Sequence, residues 1–263
     1  MYTMGIDIGS SSSKAVVLKD GAEVAAKAAV QAGTGSSGPA RVLEKIRELC
    51  ALGPGDMDFV LATGYGRASV EFADKQMSEI TCHARGVYFQ NPKVRTIIDI
   101  GGQDVKAIAL DDAGNIRQFY MNDKCAAGTG RFLDVMARVL EVSLDEMADY
   151  HFRSKNPAMV SSTCTVFAES EVISLLSKGT PREDIIAGVH YSAAAKACAL
   201  AQRAGVRKEI VLCGGVARNS GVADALQAQL GERVIVARDP QLTGALGAAI
   251  LAYEERKRKE KTA

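Results

Sequence analysis

Tryptophan is absent from the sequence and aromatic residues make up only 5% of it, so a surface that stacks nucleic-acid bases is not expected. The formal net charge is +1, which gives no reason to expect binding to nucleic acid or to an anionic membrane. No apolar run reaches the roughly 18 residues that a membrane-spanning helix needs. The first residues lack a basic segment followed by an apolar stretch. We therefore predict no signal peptide and expect a cytoplasmic protein.

Disulfide-rich spacing is also missing, although the chain has six cysteines. They are spread widely, and in a reducing compartment we expect them to be thiols. Cys50, Cys198 and Cys213 lie in apolar periodic segments, where a cysteine packs as a small apolar residue. Cys125 and Cys164 have different surroundings and are candidates for a chemical role.

An internal repeat is the strongest sign of how the chain is organised. Residues 5–20 and 97–112 align without a gap at an offset of 92, and eight of the sixteen positions are identical. Each copy predicts a strand, a Gly/Ser-rich turn and a second strand, with third strands at 23–29 and 116–121. The repeat therefore predicts two related lobes, each of which begins with a β-meander.

Helical spacing of apolar residues follows each meander, and strands that alternate with helices predict an α/β protein with a mixed sheet in each lobe. We expect lobe I to contain residues 1–93 and 244–263, and lobe II to contain 94–243. The charged segment 254–261 is interpreted as a solvated helix end. The predicted later elements are helices at 39–49, 131–140, 165–176, 190–204, 222–230 and 244–253, and strands at 209–213 and 233–237.

The two repeated turns are candidates for phosphate binding. A Gly/Ser-rich turn between two strands directs several backbone N–H groups to one point, which suits phosphate oxygens. Asp7 and Asp99, near the ends of the preceding strands, carry the hard oxygen ligands that Mg²⁺ prefers. A third segment, 212–219, predicts a strand, a Gly-Gly turn and a helix, and such a turn lets a nucleoside lie close to the backbone. Walker and dinucleotide-binding glycine motifs are absent, which argues against P-loop and Rossmann folds.

In their order along the chain, these three motifs resemble those of the sugar kinase, heat-shock chaperone and actin superfamily. The resemblance implies two ribonuclease-H-like lobes with ATP or ADP in the cleft between them. It implies that Gln103 or Asp104 positions the attacking water or the metal. It also implies nucleotide contacts at Ser10, Ser11, Ser12, Ser13, Lys14, Gly101, Gly102, Gly214, Gly215 and Asn219.

Cys125 and Cys164 each precede the predicted start of a helix, and Ser161, Ser162 and Thr163 are natural N-caps beside the second. Free N–H groups and the helix dipole favour a thiolate there, or a negatively charged metal–sulfur cluster. Two thiolates are half of the four that a cubane cluster needs, and a two-fold axis would supply the rest. From the residues alone, buried structural thiols or a redox-labile pair remain alternatives.

A second resemblance is carried by five longer segments, at 62–67, 74–86, 98–106, 122–137 and 161–179. They resemble the activator components of 2-hydroxyacyl-CoA dehydratases, in the BadF/BadG/BcrA/BcrD-type ATPase family, whose more distant members include subunits of benzoyl-CoA reductase. The resemblance implies a homodimer in an anaerobe that hydrolyses ATP with Mg²⁺. It implies that Cys125 and Cys164 ligate one shared 4Fe–4S cluster, that ferredoxin or flavodoxin donates the electron, and that a dehydratase receives it.

Other functions of the same fold stay open at this point, namely a small-molecule kinase and a nucleotide-switched assembly or chaperone module. We predict no ligand role for Cys82 and His83, which are expected to pack or hydrogen-bond near an interface with the dehydratase. His151 and His190 are expected to be surface or helix residues.

Overall fold

A computed structural model describes residues 1–161 and 164–262. The chain divides into two compact units. The first unit contains Met1–Lys93, Asp112–Ile116 and the chain from Gln241 onward, and the second contains Val94–Asp111 and Arg117–Pro240. The short segment 112–116 thus lies in the first unit, although the sequence assigned it to lobe II.

Strands and helices alternate along the chain, which confirms the predicted α/β class. The strands of the described residues are β1 (Tyr2–Ile8), β2 (Ser13–Lys19), β3 (Glu23–Val30), β4 (Phe59–Thr63), β5 (Lys75–Gln76), β6 (Thr96–Ile100), β7 (Val105–Leu110), β8 (Ile116–Asn122), β9 (Ile210–Cys213) and β10 (Val234–Val236). The helices are α1 (Gly38–Cys50), α2 (Glu79–Gln90), α3 (Gly130–Val139), α4 (Glu146–Arg153), α5 (Thr165–Ser177), α6 (Arg182–Ala204), α7 (Ser220–Leu230) and α8 (Thr243–Thr262).

Both units have the same sheet topology. The strand orders are β3-β2-β1-β4-β5 and β8-β7-β6-β9-β10, so strands with the same rank in their unit occupy the same place. In each sheet the first strand is antiparallel to the second and parallel to the fourth. The repeat detected in the sequence is therefore a repeat of the whole five-stranded sheet.

The strand register sets the geometry of the repeated motif. Asp7 of β1 is paired with Lys14 of β2, and Asp99 of β6 is paired with Lys106 of β7. Because directly opposed residues on one face of an antiparallel pair are neighbours, each carboxylate faces an ammonium group across its turn. The identical Asp and Lys residues of the two copies are thus cross-strand partners.

Helix boundaries differ from the prediction mainly where helices begin with polar residues. Helix α6 starts at Arg182, eight residues earlier than predicted, and Glu183 and Asp184 lie in its first turn, where acidic residues favour the helix dipole. Helices α2 and α4 were not predicted. The charged end of α8 is helical and largely exposed, as expected. Among the described residues, no helix combines the length and apolar character required to cross a membrane.

In the first unit, glycines allow α8 to pack closely against β1 and α2. A Cβ at Gly5 would overlap with the carbonyl oxygen of Ala245. A Cβ at Gly247 would overlap with the carbonyl oxygen of Cys82. Both obstacles are backbone atoms, which cannot move aside as a flexible side chain can. The core of this unit therefore depends on hydrogen atoms in place of side chains at these positions.

We expect Gly247→Ala to lower the free energy of unfolding by about 1–3 kcal/mol, because overpacking a close contact forces the backbone apart. The matched control is Gly55→Ala, since a Cβ at Gly55 has no heavy atom within 4 Å and the residue has no positive φ. Urea unfolding followed by circular dichroism measures both. Equal stability of the two variants would contradict this account of the α8 contact.

Candidate nucleotide turns and cysteine pair

The first repeated turn is closed by its own backbone. The N–H of Gly9 donates to the carbonyl oxygen of Ser12 at 3.0 Å. Ser11 is exposed, and Ser10 and Ser12 are half-buried. Ser13 is buried instead, and its hydroxyl donates to the carbonyl oxygen of Ala32 at 2.7 Å. Of the four predicted serines, Ser13 thus holds the turn to the rest of its unit.

The second turn has the same closure. The N–H of Gly101 donates to the carbonyl oxygen of Asp104 at 2.9 Å, at the position that corresponds to the Gly9–Ser12 bond. Gln103 is exposed, and Gly101, Gly102 and Asp104 are half-buried. The structure therefore brings the predicted residues of each motif into one tight turn within each unit.

The two turns differ in charge. Lys14 Nζ lies 3.2 Å from Asp7 Oδ2, which makes a neutral pair. Lys106 Nζ lies 3.0 Å from Asp99 Oδ2 and 2.9 Å from Asp104 Oδ1, so one cation faces two carboxylates. With all three groups ionised, the second turn keeps one negative charge in excess, which is the environment that a divalent cation prefers.

Lys106 is a residue that the site prediction omitted. Its side chain is 2% exposed, compared with 14% for Lys14. A buried ammonium group that contacts two carboxylates holds both of them in position. The repeat aligned Lys106 with Lys14, so the sequence did contain the signal for it.

A glycine after the fourth strand encloses each aspartate. Gly64 follows β4 with φ of 88°, and Gly214 follows β9 with φ of 90°. A Cβ at Gly64 would overlap with Asp7 Oδ1, and one at Gly214 would lie 2.6 Å from Asp99 Oδ1. Gly214 was predicted as a nucleoside contact, whereas Gly64 was not predicted as a site residue.

The third turn is fixed by Asn219. Its Oδ1 accepts hydrogen bonds from the N–H groups of Gly221 at 2.9 Å and Val222 at 3.2 Å, which caps the start of α7. Its Nδ2 therefore faces His190 Nε2, at 3.2 Å. The polar atoms of this side chain are engaged within the second unit, while a Cβ at Gly215 would meet no atom within 4 Å. The roles of both residues at a nucleoside stay predictions.

Two buried histidines lie behind this turn. The His151 and His190 rings are 5.0 Å apart, and His151 Nε2 is 3.2 Å from Asp224 Oδ2. They belong to α4 and α6, so the expectation of helix residues is confirmed and that of surface residues is wrong. Burial, and secondly the charge of His151, lower the pKa of His190 to about 3. His190 is therefore neutral and accepts the Asn219 hydrogen bond at Nε2.

Cys125 and Cys164 both lie close to helix starts in the second unit. Cys164 is itself the N-cap of α5, and Cys125 lies between β8 and α3, which packs against α5 and α6. The prediction of Ser161 as an N-cap is wrong, because its N–H donates to Glu171 Oε2 at 2.6 Å and the helix begins only after Cys164. Ser162 and Thr163, the other predicted caps, lie outside the described residues.

These two thiols fit half of a cluster's ligand set. Neither forms a disulfide, both are half-buried, and α3 packs against α5. Within residues 1–161 and 164–262, neither belongs to a group of three or more potential metal ligands. Two chemically available thiols in one chain agree with a four-thiolate site only if a second copy supplies the other two.

The remaining cysteines are packing residues. Cys82, Cys198 and Cys213 are buried, and Cys50 donates to the carbonyl oxygen of Ile46 at 3.2 Å. Burial raises the pKa of Cys82 to about 12 and that of Cys198 to about 11, so neither forms a thiolate at neutral pH. His83 Nδ1 lies 2.9 Å from Thr243 Oγ1. The predicted packing of Cys82 and His83 is confirmed, and their place at an interface with a dehydratase stays a prediction.

Comparison with known proteins places these features in a family. A model of the BadF/BadG/BcrA/BcrD ATPase family matches residues 4–252. The activator of lactoyl-CoA dehydratase from Anaerotignum propionicum is 61% identical, over 98% of this chain and 100% of that protein. The (R)-2-hydroxyglutaryl-CoA dehydratase activating ATPase from Acidaminococcus fermentans is 55% identical, over 97% and 98% of the two chains.

Solved structures agree with the sequence comparisons. The activator of the 2-hydroxyisocaproyl-CoA dehydratase from Clostridium difficile, with bound ADPNP, superposes with a TM-score of 0.96 at 53% identity, and covers 100% of this chain and 98% of that one. A ROK family glucokinase from Streptomyces griseus shares the fold alone, at a TM-score of 0.59 and 13% identity, over 97% and 100% of the chains. The predicted two-lobed fold of the sugar kinase superfamily is thereby confirmed.

The neutral state of buried His190 predicts that stability depends on pH. The unfolded chain takes up a proton at this residue below pH 6.5, whereas the folded protein does so only near pH 3. Neutral His190 therefore makes its full contribution to stability above pH 6.5. Below that pH the free energy of unfolding falls by about 1.4 kcal/mol per pH unit. His190→Gln, whose amide oxygen can accept the Asn219 hydrogen bond, removes this dependence.

Urea unfolding of the protein and of His190→Gln at pH 7 and pH 5 measures this difference. We expect the unmodified protein to lose about 2 kcal/mol more than the variant between these pH values. Equal losses in the two proteins would show that His190 titrates in the folded state as it does in the unfolded chain.

Proposed function

Because the chain belongs to the BadF/BadG/BcrA/BcrD ATPase family, we propose that it is an ATP-hydrolysing, homodimeric 4Fe–4S protein that activates a 2-hydroxyacyl-CoA dehydratase. In this function it receives a low-potential electron from ferredoxin or flavodoxin, in the cytoplasm of an anaerobe, and passes it to the dehydratase. One observation carries the proposal: Cys125 and Cys164 are half-buried thiols in the unit that also contains the second turn, with Cys164 at the N-cap of α5 and Cys125 five residues before α3.

The charges of the two turns support a division of labour at the nucleotide. Lys14 faces a single carboxylate and is the more exposed of the two lysines, so it is suited to phosphate oxygens together with Ser10, Ser11 and Ser12. In the second turn the N–H of Gly101 closes the turn on Asp104, and the backbone N–H of Gly102 supplies the same function toward phosphate. Ser13 supports the first turn through its bond to Ala32.

The negative excess of the second turn supports metal binding there. Asp99 and Asp104 would hold Mg²⁺ directly or through water, with Asp7 as the corresponding carboxylate of the first turn. Bound Mg²⁺ neutralises charge that develops on the phosphate oxygens during hydrolysis. Gln103 is exposed, so its amide is available to orient the attacking water, while Lys106 holds Asp104 in place. Gly214, Gly215 and Asn219 would border the nucleoside.

The cluster would be held by Cys125 and Cys164 from each of two copies. A 4Fe–4S cluster supplies a one-electron carrier whose potential depends on its surroundings. The N-terminus of α5 directs its N–H groups and the positive end of its dipole toward Cys164, which favours the thiolate that ligation requires.

An exposed apolar face beside Cys164 supports the homodimer. On α5, Val166, Phe167 and Ile173 are 66%, 64% and 50% exposed. Large apolar side chains grouped on one helix next to a ligand are typical of a protein contact surface. A second copy that covers this face would bring its own Cys164 close to the first.

Iron analysis tests the cluster proposal. Purified without oxygen, the protein should contain about four iron and four sulfide per dimer, and Cys125→Ala or Cys164→Ala should remove most of both. Cys50→Ala is the matched control and should retain the cluster, because Cys50 packs at the end of α1. ATP-dependent activation of a 2-hydroxyacyl-CoA dehydratase should follow the iron content.

An iron-free preparation that still activates the dehydratase would overturn the cluster. Phosphorylation of an added sugar or acid at a rate that Cys125→Ala leaves unchanged would point instead to the small-molecule kinase. ATPase activity that needs neither iron nor a dehydratase would favour a nucleotide-switched assembly module.

Phe167→Asp should weaken the dimer, because a charge would have to be buried in the apolar contact. The control is Phe72→Asp, at an aromatic residue of the first unit that is 42% exposed. Sedimentation without oxygen should show a shift to monomer, with loss of iron, for Phe167→Asp only. A dimer of unchanged affinity in that variant would place the contact elsewhere.

A further inference from the structure

The second turn is hydrogen-bonded directly to the start of α3. The N–H of Gly130 donates to the carbonyl oxygen of Gly101 at 2.9 Å, and the N–H of Arg131 donates to that of Gly102 at 2.8 Å. These are the first two residues of α3, whose N-cap residue Thr129 makes no side-chain cap bond. The turn therefore takes the place of an N-cap and satisfies N–H groups that the helix itself cannot.

The chain between α3 and Cys125 is short and tightly held. Both the N–H and the hydroxyl of Thr129 donate to the carbonyl oxygen of Ala126, at 3.0 and 2.6 Å. Ala127 and Thr129 are buried, and a Cβ at Gly128 would lie 2.7 Å from Lys196 Cβ. Asn122 Nδ2 also donates to the carbonyl oxygen of Cys125 at 3.0 Å. A shift of the start of α3 therefore moves Cys125 as well, because the segment between them is held by hydrogen bonds and close packing.

The planarity of the peptide bond connects these contacts to the proposed phosphate site. The carbonyl of Gly101 and the N–H of Gly102 belong to one peptide plane, and the carbonyl of Gly102 and the N–H of Gln103 belong to the next. In a trans peptide the two groups point in opposite directions and rotate together. A phosphate that reorients either N–H must therefore also reorient a carbonyl that caps α3.

The first turn has the corresponding bond but no cysteine beside it. The N–H of Thr34 donates to the carbonyl oxygen of Gly9 at 2.9 Å, at the position that matches Gly101 in the repeat. Thr34 precedes α1, and the cysteine of that helix, Cys50, is its last residue. Among the described residues, it is the turn of the second unit that caps a helix with a candidate ligand five residues before its start.

We infer that the Gly130 and Arg131 bonds transmit the state of the bound nucleotide from the second turn to Cys125. Gly130 is thus a positioning residue whose backbone N–H couples nucleotide binding to the cluster ligand. The inference rests on the proposed nucleotide binding, but it does not require that a cluster is present. It assigns the coupling to the second turn and not to the first.

Gly130→Pro tests this link, because it removes the N–H at a helix position that proline favours and that follows an extended residue. Gly130→Ala is the matched control, since it keeps the N–H and its Cβ would contact other atoms at 3.3 Å or more. Hydrogen–deuterium exchange of the full chain is measured without nucleotide, with Mg-ADP and with Mg-ADPNP. The readouts are the amides of 132–136 and of Thr34, and, if iron is present, its rate of removal by a chelator.

In the unmodified protein and in Gly130→Ala, we expect nucleotide to slow exchange at 132–136, with a difference of about fivefold between ADP and ADPNP, as for one hydrogen bond. In Gly130→Pro this difference should vanish while the nucleotide effect at Thr34 persists. The rate of iron removal should likewise lose its dependence on nucleotide. A general loss of structure would not produce this selective pattern.

The inference is overturned if 132–136 responds equally in Gly130→Pro, or if Thr34 responds in the unmodified protein and 132–136 does not. Arg131→Pro, which removes the second bond within the first helical turn, provides the same test if Gly130→Pro does not fold. Absence of any response at both segments would contradict the proposed nucleotide binding itself, and the inference would fall with it.

Discussion

A carboxylate and an ammonium group that face each other across the first two strands hold the candidate phosphate turn of each unit. The pairs are Asp7 with Lys14 and Asp99 with Lys106, and the antiparallel register makes them neighbours. A buried aspartate without its lysine would be an uncompensated charge, which costs several kcal/mol. The turns between these strands, and hence the N–H groups that they present, keep their shape because both ends are tied in this way.

The two halves have diverged at a few positions on this shared frame. The position of Ser12 in the first turn is taken by Asp104 in the second, which changes a neutral pair into a cluster with excess negative charge. The carbonyl that accepts a bond from a loop in the first unit caps a helix in the second. Small changes at equivalent places have thus given one half features suited to phosphate and the other features suited to a metal and a redox ligand.

Much of the fold could be predicted because the repeat indicated the first two strands of each unit and the turn between them. The predicted third strands, 23–29 and 116–121, agree with β3 and β8, and the class followed from the alternation of elements. Helix α2 was missed because its apolar residues form only a weak stripe, and α4 was missed because it has only eight residues. The cap of α5 was misplaced because serine and threonine are better N-caps than cysteine, while the structure uses Cys164 itself.

The candidate site was predictable where it is local and was missed where distant segments meet. The turns and Cys125 lie within continuous motifs, so their chemistry could be read from neighbouring residues. Gly64, and the contact between Asn219 and His190, depend on strands and helices far apart in the sequence. Lys106 is a different case. The repeat identified the residue, but its role in holding Asp99 and Asp104 became visible only from its burial between the two carboxylates.

The order of elements along the chain has a consequence for how the protein is made. Strand β1 begins at Tyr2, but α8, against which Gly5 packs, begins only at Thr243, after the whole second unit has been translated. The sheet of the first unit must therefore wait with one apolar face uncovered, whereas residues 94–111 and 117–240 can form their core earlier. A newly made chain is thus expected to need protection at its first sheet, and to reverse the usual tendency of domains to fold in the order of their synthesis.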